Sequence, residues 1–335
     1  MVKWSTANGQ RGQQVNRARH FADRWRAKRG HYCLGPVTHL SALVGIVAIS
    51  FSAIFVRLAD VSPTTAALFR AAYAIPFLFA VHLARRHPRP RRARVLAFSA
   101  GVLLAVDLTM WHIAIEYIGA GLATVVANVQ VVWVGIVAWM VYREKPTNTA
   151  FAVVPMVLVG IALIGGLGRD DAFGARPLLG ALLAAGASIT YTGFLLLFRA
   201  SNRSLGPTAG PLLEATAGAA LAMFLIAPFD AGFSLAIEFP AHGWLIALAL
   251  IGQVFGWLLI AGALPRLPAL ETSVMLLIQP ALTVLWARLL FDENLATIQW
   301  VGVAIVMAGV AIAGARGSVR PPAATEVAET TLPGP

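Results

Sequence analysis

Long apolar runs separated by short polar or charged segments fill the sequence from residue 39 to residue 315. Each run is close to the roughly 20 residues that an α-helix needs to cross a bilayer. Short alternating segments, which are typical of an outer-membrane barrel, do not occur in the sequence. The pattern therefore predicts ten transmembrane helices, called spans one to ten, over residues 39–58, 64–84, 95–116, 120–142, 148–168, 177–198, 208–229, 242–264, 269–290 and 297–315.

Two parts of the chain carry what reads as the same pattern, displaced by 149 residues. Each part has an apolar run with a glutamine near its middle, an acidic loop, and a second apolar run that contains glycines. The matched pairs are Gln130 with Gln279, Glu144 with Glu293, Gly160 with Gly309, and Gly165 with Gly314. Because Val- and Ala-rich segments align easily by chance, only these pairs carry weight. A repeat of this length, made of membrane-length segments, is typical of transporters.

The composition excludes a soluble globular protein. Hydrophobic residues make up 58% of the chain and charged residues 12%, whereas a typical soluble domain has about 25% charged residues. The formal charge of +11 would favour nucleic acid as a partner of a soluble protein, but here the charges follow membrane topology, so no nucleic acid is expected. The one cysteine, Cys33, excludes an internal disulfide and a cysteine-based metal cluster. The sequence predicts no metal and no cofactor.

The basic residues between the spans predict the orientation in the membrane. With a cytoplasmic N-terminus, eleven Arg and Lys residues lie in the inside loops and two in the outside loops, as the positive-inside rule requires. Residues 1–38 form a basic tail without an apolar core, which is neither a signal peptide nor a span and lies beside anionic lipid headgroups. We expect both termini in the cytoplasm, a multi-pass protein of the bacterial inner membrane, and a disordered tail over residues 316–335.

The number of spans in each repeat predicts how the two repeats are related. Each repeat holds five spans, an odd number, so the second must enter the membrane from the opposite side. The loop at Glu144 is then cytoplasmic and the loop at Glu293 is external. The predicted fold is an all-α integral membrane protein with ten transmembrane helices in two inverted five-helix repeats, over residues 39–168 and 169–315. Two such halves can exchange conformations, which provides a route to alternating access.

Three segments carry a resemblance to a known family: SPTTAALFRAAYAIPF in span two, IEYIGAGLATVVANVQVVWVGIVAWMVYREKP across span four, and LPALETSVMLLIQPALTVLWARLLFDENLATIQWVGVAIVMAGVAIAG at the end. With the ten-span layout, residues 40–315 resemble the drug/metabolite transporter superfamily, and within it the EamA-type ten-helix exporters. The chain departs from the family pattern at Val131, where a proline is usual, and at Phe51, near the place of a common tryptophan. Span six lacks a clear copy of the motif around Arg70.

Charged side chains at membrane depth cost roughly 2.5–3.5 kcal/mol each on insertion scales, so each needs a partner or an aqueous cavity. Asp107 lies near the centre of span three, with Trp111 one turn further along the same face. Either Asp107 exchanges a proton or binds a cation, or it is a structural residue held by helix–helix hydrogen bonds or by Arg70. From its position in span two, Arg70 could snorkel to the interface, pair with Asp107 or hold an anionic group of the substrate. The family resemblance implies a structural or gating role for it. Glu214, about two turns into span seven, is either a second proton-exchange group or a hydrated residue at the inner mouth.

Two glutamines, Gln130 and Gln279, lie near the midplane of their spans, the depth at which inverted-repeat transporters bind substrate. An amide offers two donors and one acceptor without the cost of a charge. Each glutamine therefore either binds a polar solute or hydrogen-bonds a neighbouring helix. Their matched positions in the two repeats favour a site.

Spans eight and nine supply the remaining candidates. Glu271, Met275 and Gln279 recur at helical spacing along one face of span nine. Pro280 lacks an amide hydrogen and so favours a kink in span nine more than in span four. Span eight offers Gln253 and Trp257 one turn apart. We expect the substrate in a cavity lined by spans three, four, eight and nine.

Three classes of function compete for this sequence. A secondary active transporter, exporting a small metabolite, amino acid or drug-like solute, accounts for the repeat and the embedded acid. An integral membrane enzyme would need a catalytic constellation, which the scattered histidines do not form, and a receptor or scaffold would not need an inverted repeat. No nucleotide-binding loop of the GxxxxGK[ST] type is present. The expected partners are the solute and membrane lipids; proton coupling, and the choice between monomer and homodimer, stay open.

Overall fold

In the computed structural model, the described residues are 35–85, 87–164, 176–202, 208–291 and 296–316. Residues 1–40 and 41–335 form two separate compact units, and every contact given below lies within the second. Most of both predicted tails, the boundary between the predicted repeats, Cys33, Gly165 and Glu293 lie outside the described residues.

The described residues are built mainly from helices. A 3₁₀ turn, Ala227–Phe229, extends one of them, and a π-helix, Leu248–Gly256, joins two others. The α-helices are Gly35–Ser50 (α1), Ser52–Ala59 (α2), Pro63–Ala84 (α3), Arg91–Ala127 (α4), Gln130–Tyr142 (α5), Asn148–Ile164 (α6), Pro177–Ser201 (α7), Ala209–Ile226 (α8), Ala241–Ala247 (α9), Trp257–Ala263 (α10), Ala269–Leu276 (α11), Ile278–Phe291 (α12) and Thr297–Arg316 (α13).

Among the described residues, seven helical segments are long and apolar enough to cross a membrane: Val37–Ala59, Pro63–Ala84, Arg91–Ile115, Leu178–Ser201, Ala209–Phe229, Ala241–Ala263 and Ala269–Phe291. Three further apolar helices are shorter: Gln130–Val141, Asn148–Leu163 and Thr297–Gly309. Many large apolar side chains on these helices are exposed, as expected of surfaces that face lipid. The chain is a helical, multi-pass membrane protein.

The helices of unit 41–335 pack as a closed ring. Going round it, α2 contacts α9, the π-helix contacts α3, α3 contacts α8, α8 contacts α4, α4 contacts α7, α7 contacts α5, α5 contacts α11, and α12 contacts α2. Helices α6 and α13 pack against each other and against α12. A ring of helices brings residues that are distant in the sequence close together. The polar residues predicted for the substrate site lie on several of these helices.

Helix α4 continues through residues 117–119, where the sequence predicted a connection between spans three and four. The chain nevertheless reverses near there, because Leu103 contacts Gly193 while Thr192 donates to the Gln130 carbonyl. In a straight helix residues 103 and 130 would be about 40 Å apart. The amide of Arg176 contacts the Tyr117 carbonyl at 3.5 Å, so the reversal lies beyond residue 117. The segment is apolar, and its helical hydrogen bonding continues up to Ala127.

Candidate functional site

Two transmembrane helices are interrupted at matching positions. The first break, at Asn128 and Val129, separates α4 from α5, and the second, at Leu277, separates α11 from α12. The 149-residue displacement of the repeat places residue 128 on residue 277. At both breaks an amide reaches back only three residues, from Val129 to the Val126 carbonyl and from Leu277 to the Val274 carbonyl, each at 3.1 Å. Interrupted helices at matching positions of two repeats are where many secondary transporters bind substrate.

The break before α5 was not expected, since the sequence has no proline there. Asn128 ends α4, and its side-chain amide donates to the Thr124 carbonyl at 2.8 Å. This bond satisfies a carbonyl near the end of the helix. In span nine Pro280 has no amide hydrogen to donate to the Leu276 carbonyl, which lies directly before the break. Both spans are therefore broken, and the expectation that span nine bends more than span four stays a prediction.

Gln130 begins α5 and is 2% exposed. Its side-chain oxygen accepts a hydrogen bond from the Ser273 hydroxyl at 2.9 Å, which joins α5 to α11. Its carbonyl accepts from the Thr192 hydroxyl at 3.4 Å. Gln279 differs from Gln130, because it is half-buried and its side-chain amide makes no hydrogen bond to the described residues. Of the two glutamines, Gln279 is the one that offers a vacant polar group.

Arg70 and Gln253 form a bridge between α3 and the π-helix. The Arg70 Nε donates to the Gln253 side-chain oxygen at 2.8 Å, and the Gln253 side-chain nitrogen donates to the Thr216 hydroxyl of α8 at 3.0 Å. π-Helical turns are frequent at functional sites, and Gln253 lies within this one. The sequence had offered Asp107 as a partner of Arg70, but no ion pair joins them among the described residues.

Asp107 is 8% exposed and lies in the middle of α4. In the described part of the chain its carboxylate makes neither a hydrogen bond nor an ion pair. The Tyr191 phenol interacts electrostatically with both Asp107 and Arg70, so these three groups share one region of the ring. Trp111, one turn along, is half-buried beside His112, with ring centres 5.1 Å apart. A carboxylate without a fixed partner is free to take up a proton or a cation.

Glu214 on α8 is held by two arginines. It forms an ion pair with Arg89, which also donates to the Ser201 carbonyl at 3.0 Å, and a second with Arg94 at 3.3 Å. These contacts tie the start of α4 to the start of α8 and to the end of α7. They favour a structural role for Glu214 over proton exchange.

The other candidates lie in the apolar core. Trp257 packs edge-on against Phe194, with ring centres 5.1 Å apart, and Met275 belongs to the same core cluster. Glu271 is buried in the first turn of α11, where a negative charge is favoured by the helix dipole. Pro280 lies in the first turn of α12, half-buried.

A third interrupted helix was missed by the sequence reasoning. Phe51 separates α1 from α2, and the Ser50 before it is fully buried. The Trp286 indole donates to the Ser50 hydroxyl at 2.7 Å, and the Thr283 hydroxyl donates to the Ser50 carbonyl at 3.0 Å. Trp286 also stacks on Phe51, with ring centres 4.6 Å apart. The freed carbonyl at the break is thus satisfied by α12.

Asp230, in the loop after α8, ties that loop to the start of α3. Burial alone would raise the pKa of Asp230, but hydrogen bonds from Thr64, the Gly232 amide and Ser62 lower it below the ordinary value of 3.8. The Gly232 amide lies 2.9 Å from the carboxylate. Since the pKa is lower in the folded state, the carboxylate stabilises the fold above pH 3.8, and this contribution is lost as the pH falls through the lowered pKa.

Asp230→Asn is therefore expected to lower the melting temperature at pH 7 by about 3 °C, the equivalent of about 1 kcal/mol. At about pH 3 the difference from the unaltered protein should shrink towards zero. Thermal unfolding of detergent-purified protein at the two pH values measures both. Glu238→Gln, at an exposed position of the same loop, is the matched control. An equal fall in melting temperature at both pH values would contradict the stabilising role of the ionised Asp230 carboxylate.

Comparisons with known proteins agree with this architecture. The model of the EamA-like transporter family matches residues 37–166 and again residues 178–315. YwfM, an uncharacterized transporter of Bacillus subtilis, is 25% identical over 240 residues, which are 71% of this chain and 79% of YwfM. An uncharacterized transporter of Synechocystis is 25% identical over 227 residues, 64% of this chain and 65% of the relative.

Solved structures share the fold, and one crystal structure serves as the example. It superposes with a TM-score of 0.67 at 19% identity, over 83% of this chain and 96% of the other. The two family matches together span most of the helical region, which points to transport rather than to enzymatic catalysis. The chain belongs to the EamA-like transporter family and is a multi-pass membrane transporter.

Proposed function

We propose that this protein is a secondary active transporter that exports a small metabolite, an amino acid or a drug-like solute by alternating access between two inverted five-helix repeats. The observation that carries the proposal is the pair of breaks at residues 128–129 and 277, which match under the repeat displacement. Two copies of one unit, each with an interrupted helix at the same place, are the arrangement that alternating access requires.

Two further observations support the repeat. The family model matches the chain twice, over residues 37–166 and 178–315, close to the two predicted repeats. The seven long and three shorter apolar helices overlap the ten predicted spans one by one. Five spans in each half make the two halves inverted. The boundary between them is proposed near residue 169.

The contacts between loops support the proposed topology. Ion pairs and hydrogen bonds link residues that were all predicted in cytoplasmic loops or within two turns of them: Arg89 with Glu214 and Ser201, and Arg199 with Glu144 and Leu267. Loops predicted outside are linked to each other as well, Thr65 with Ser234 and Tyr117 with Arg176. Loops that contact each other lie on the same side of the membrane, so the chain between them crosses the membrane an even number of times. With the positive-inside rule, it supports cytoplasmic termini in the bacterial inner membrane.

The substrate path is proposed within the helix ring, at the depth of the two breaks. Three groups there have polar atoms to offer: the Gln279 amide, the Asp107 carboxylate and the Arg70 guanidinium beyond its bond to Gln253. Trp111, Tyr191 and Trp286 add partly exposed aromatic surface. A few convergent polar groups among aromatic walls are typical of small-molecule sites. Proton coupling through Asp107 is the proposed source of energy.

A competition screen in proteoliposomes tests the proposal, with amino acids, nucleobases and aromatic cations as the probes. For the solute that competes best, Gln279→Ala should raise the half-saturating concentration about tenfold, since an amide that binds a polar solute contributes about 1–1.5 kcal/mol. Adding Gln130→Ala should raise it further. Gln299→Ala, far along the chain from both breaks, is the control. An unaltered apparent affinity in the double variant would remove the glutamines from the site.

A further inference from the structure

Arg199, in the last turn of α7, holds several separate pieces of the chain together. Its side chain is 12% exposed, and its Nη2 donates to the Glu144 carboxylate at 2.7 Å. The same guanidinium donates to the Leu264 carbonyl at 3.2 Å and to the Leu267 carbonyl at 3.0 Å. Both carbonyls lie between α10 and α11. Arg199 thus connects the end of α7 to the end of α5 and to the α10–α11 connection.

Glu144 completes the arrangement from the other side. Its side chain is 14% exposed, and while one oxygen accepts from Arg199, the other accepts the backbone amide of Ala269 at 2.9 Å. Ala269 is the first residue of α11, so this bond satisfies one of the free amides at a helix start. From the sequence, Glu144 was noted only as the repeat match of Glu293, and Arg199 only as one of the basic residues in the inside loops.

The pair differs in kind from an exposed salt bridge. Exposed ion pairs contribute only about 0–1 kcal/mol because water screens them. Here both side chains are mostly buried, and each makes further bonds to backbone groups. Removal of one partner leaves the other charge buried and unpaired, which is strongly unfavourable. The closed arrangement therefore depends on both residues.

The space above the pair is also closed. A crevice of about 10 Å³ lies between the pair and the first break, and its lining is mainly apolar: Val134, Leu195, Leu196, Arg199, Leu264, Ala269, Thr272 and Ser273. This volume holds about one water molecule. Ser273 at its inner wall donates to Gln130. The crevice is too small to pass a solute, so the gap between α5, α7 and α11 is closed among the described residues.

Helix α11 is the element that could open this passage. It has eight residues, all buried, and it ends at the break at Leu277. Its start is held by the Glu144 carboxylate and its middle by the bond from Ser273 to Gln130. If these two bonds separate, α11 can swing about Leu277 without distorting α12.

We infer that Glu144 and Arg199 form the latch that closes the transport path at the cytoplasmic end, and that the cycle opens it by releasing the start of α11. The inference rests on the proposed alternating-access function. It assigns to these two residues a positioning role: they hold α11 closed, and neither binds the solute.

Thiol accessibility tests the latch without any substrate. In a Cys33→Ser background, Thr272→Cys places a single thiol in the crevice. A membrane-impermeant maleimide is applied to inside-out and right-side-out vesicles. Adding Glu144→Gln should accelerate labelling at least about tenfold from the cytoplasmic face alone, because the latched state loses its ion pair. Glu214→Gln, which removes a different ion pair at the same end, should leave the labelling rate unchanged.

Arg199→Lys provides a second variant, which keeps the charge but loses the fork that reaches the two carbonyls, and it too should accelerate labelling. Unchanged labelling in either folded variant, or acceleration from the opposite face, would overturn the latch. The result does not depend on the flux assay. Absence of transport for every solute, together with faster labelling, would overturn the proposed function and leave only the finding that this pair holds α11 closed.

Discussion

Asp107→Asn is expected to lower transport driven by a pH gradient by roughly 100-fold, the loss typical when a proton-transfer group is removed, and to leave the folded protein intact. Asparagine has the size of aspartate but cannot ionise. Because the Asp107 carboxylate makes no hydrogen bond or ion pair to the described residues, the substitution breaks no contact that stabilises the helix ring. Its effect should therefore fall on coupling and not on stability.

Proteoliposomes loaded with the competing solute measure this effect, with and without an imposed pH gradient. Exchange of the solute at equal pH should persist in the variant, since exchange needs no net proton movement. Asp230→Asn, which removes an acid at the end of the ring, should leave coupling unchanged. Gradient-driven transport that is equal in Asp107→Asn and the unaltered protein would make Asp107 a structural residue.

Gly101→Ala is expected to destabilise the protein by about 3 kcal/mol or more, at the upper end of overpacking costs. A Cβ atom at Gly101 would lie 1.8 Å from the Ala215 carbonyl oxygen, and one at Gly218 would lie 2.2 Å from the Phe98 carbonyl oxygen. The obstructing atoms are backbone atoms of the facing helix, so no side-chain rotation can relieve the contact. Helices α4 and α8 would have to move apart, which weakens one side of the ring.

Thermal unfolding of the detergent-purified variants measures this loss, and Gly218→Ala should behave in the same way. Gly243→Ala is the matched control, because its added Cβ would meet only the Phe239 ring at an ordinary distance of 3.9 Å. If Gly101→Ala unfolded at the temperature of the unaltered protein, the close approach of α4 and α8 would be wrong.

The sequence was sufficient for the class of protein and for the position of the helices. Apolar runs of membrane length follow directly from the hydrophobic effect in a bilayer, and the start and end of α3 agree with span two to within one residue. The quoted segments, including the one that contains Arg70, resembled the family that the comparisons identify. The helical structure of the connection at residues 117–119 was harder to predict. An apolar segment that keeps its helical hydrogen bonds contains no polar residues that would mark the reversal of the chain.

The breaks and the partners of the charged residues were harder to predict. Pro280 signalled the break in span nine, whereas the break before Gln130 has no proline. When Pro280 is shifted back by the 149 residues of the repeat, it falls on Val131, two residues beyond that break. This match was the one indication in the sequence that span four would also be broken. The partner of Arg70 is Gln253 and not Asp107, and Arg199 pairs with Glu144. Such choices depend on which helices are neighbours in the ring, and local periodicity does not contain that information.

Solute counterflow is the most direct test of alternating access. Proteoliposomes are preloaded with the unlabelled competing solute at high concentration and diluted into a trace of the same solute in labelled form, with no ion gradient. Alternating access predicts a transient accumulation of label above equilibrium, because a site that faces one side at a time exchanges solutes one for one. Passive equilibration without accumulation, or no protein-dependent uptake of any solute in the screen, would contradict it.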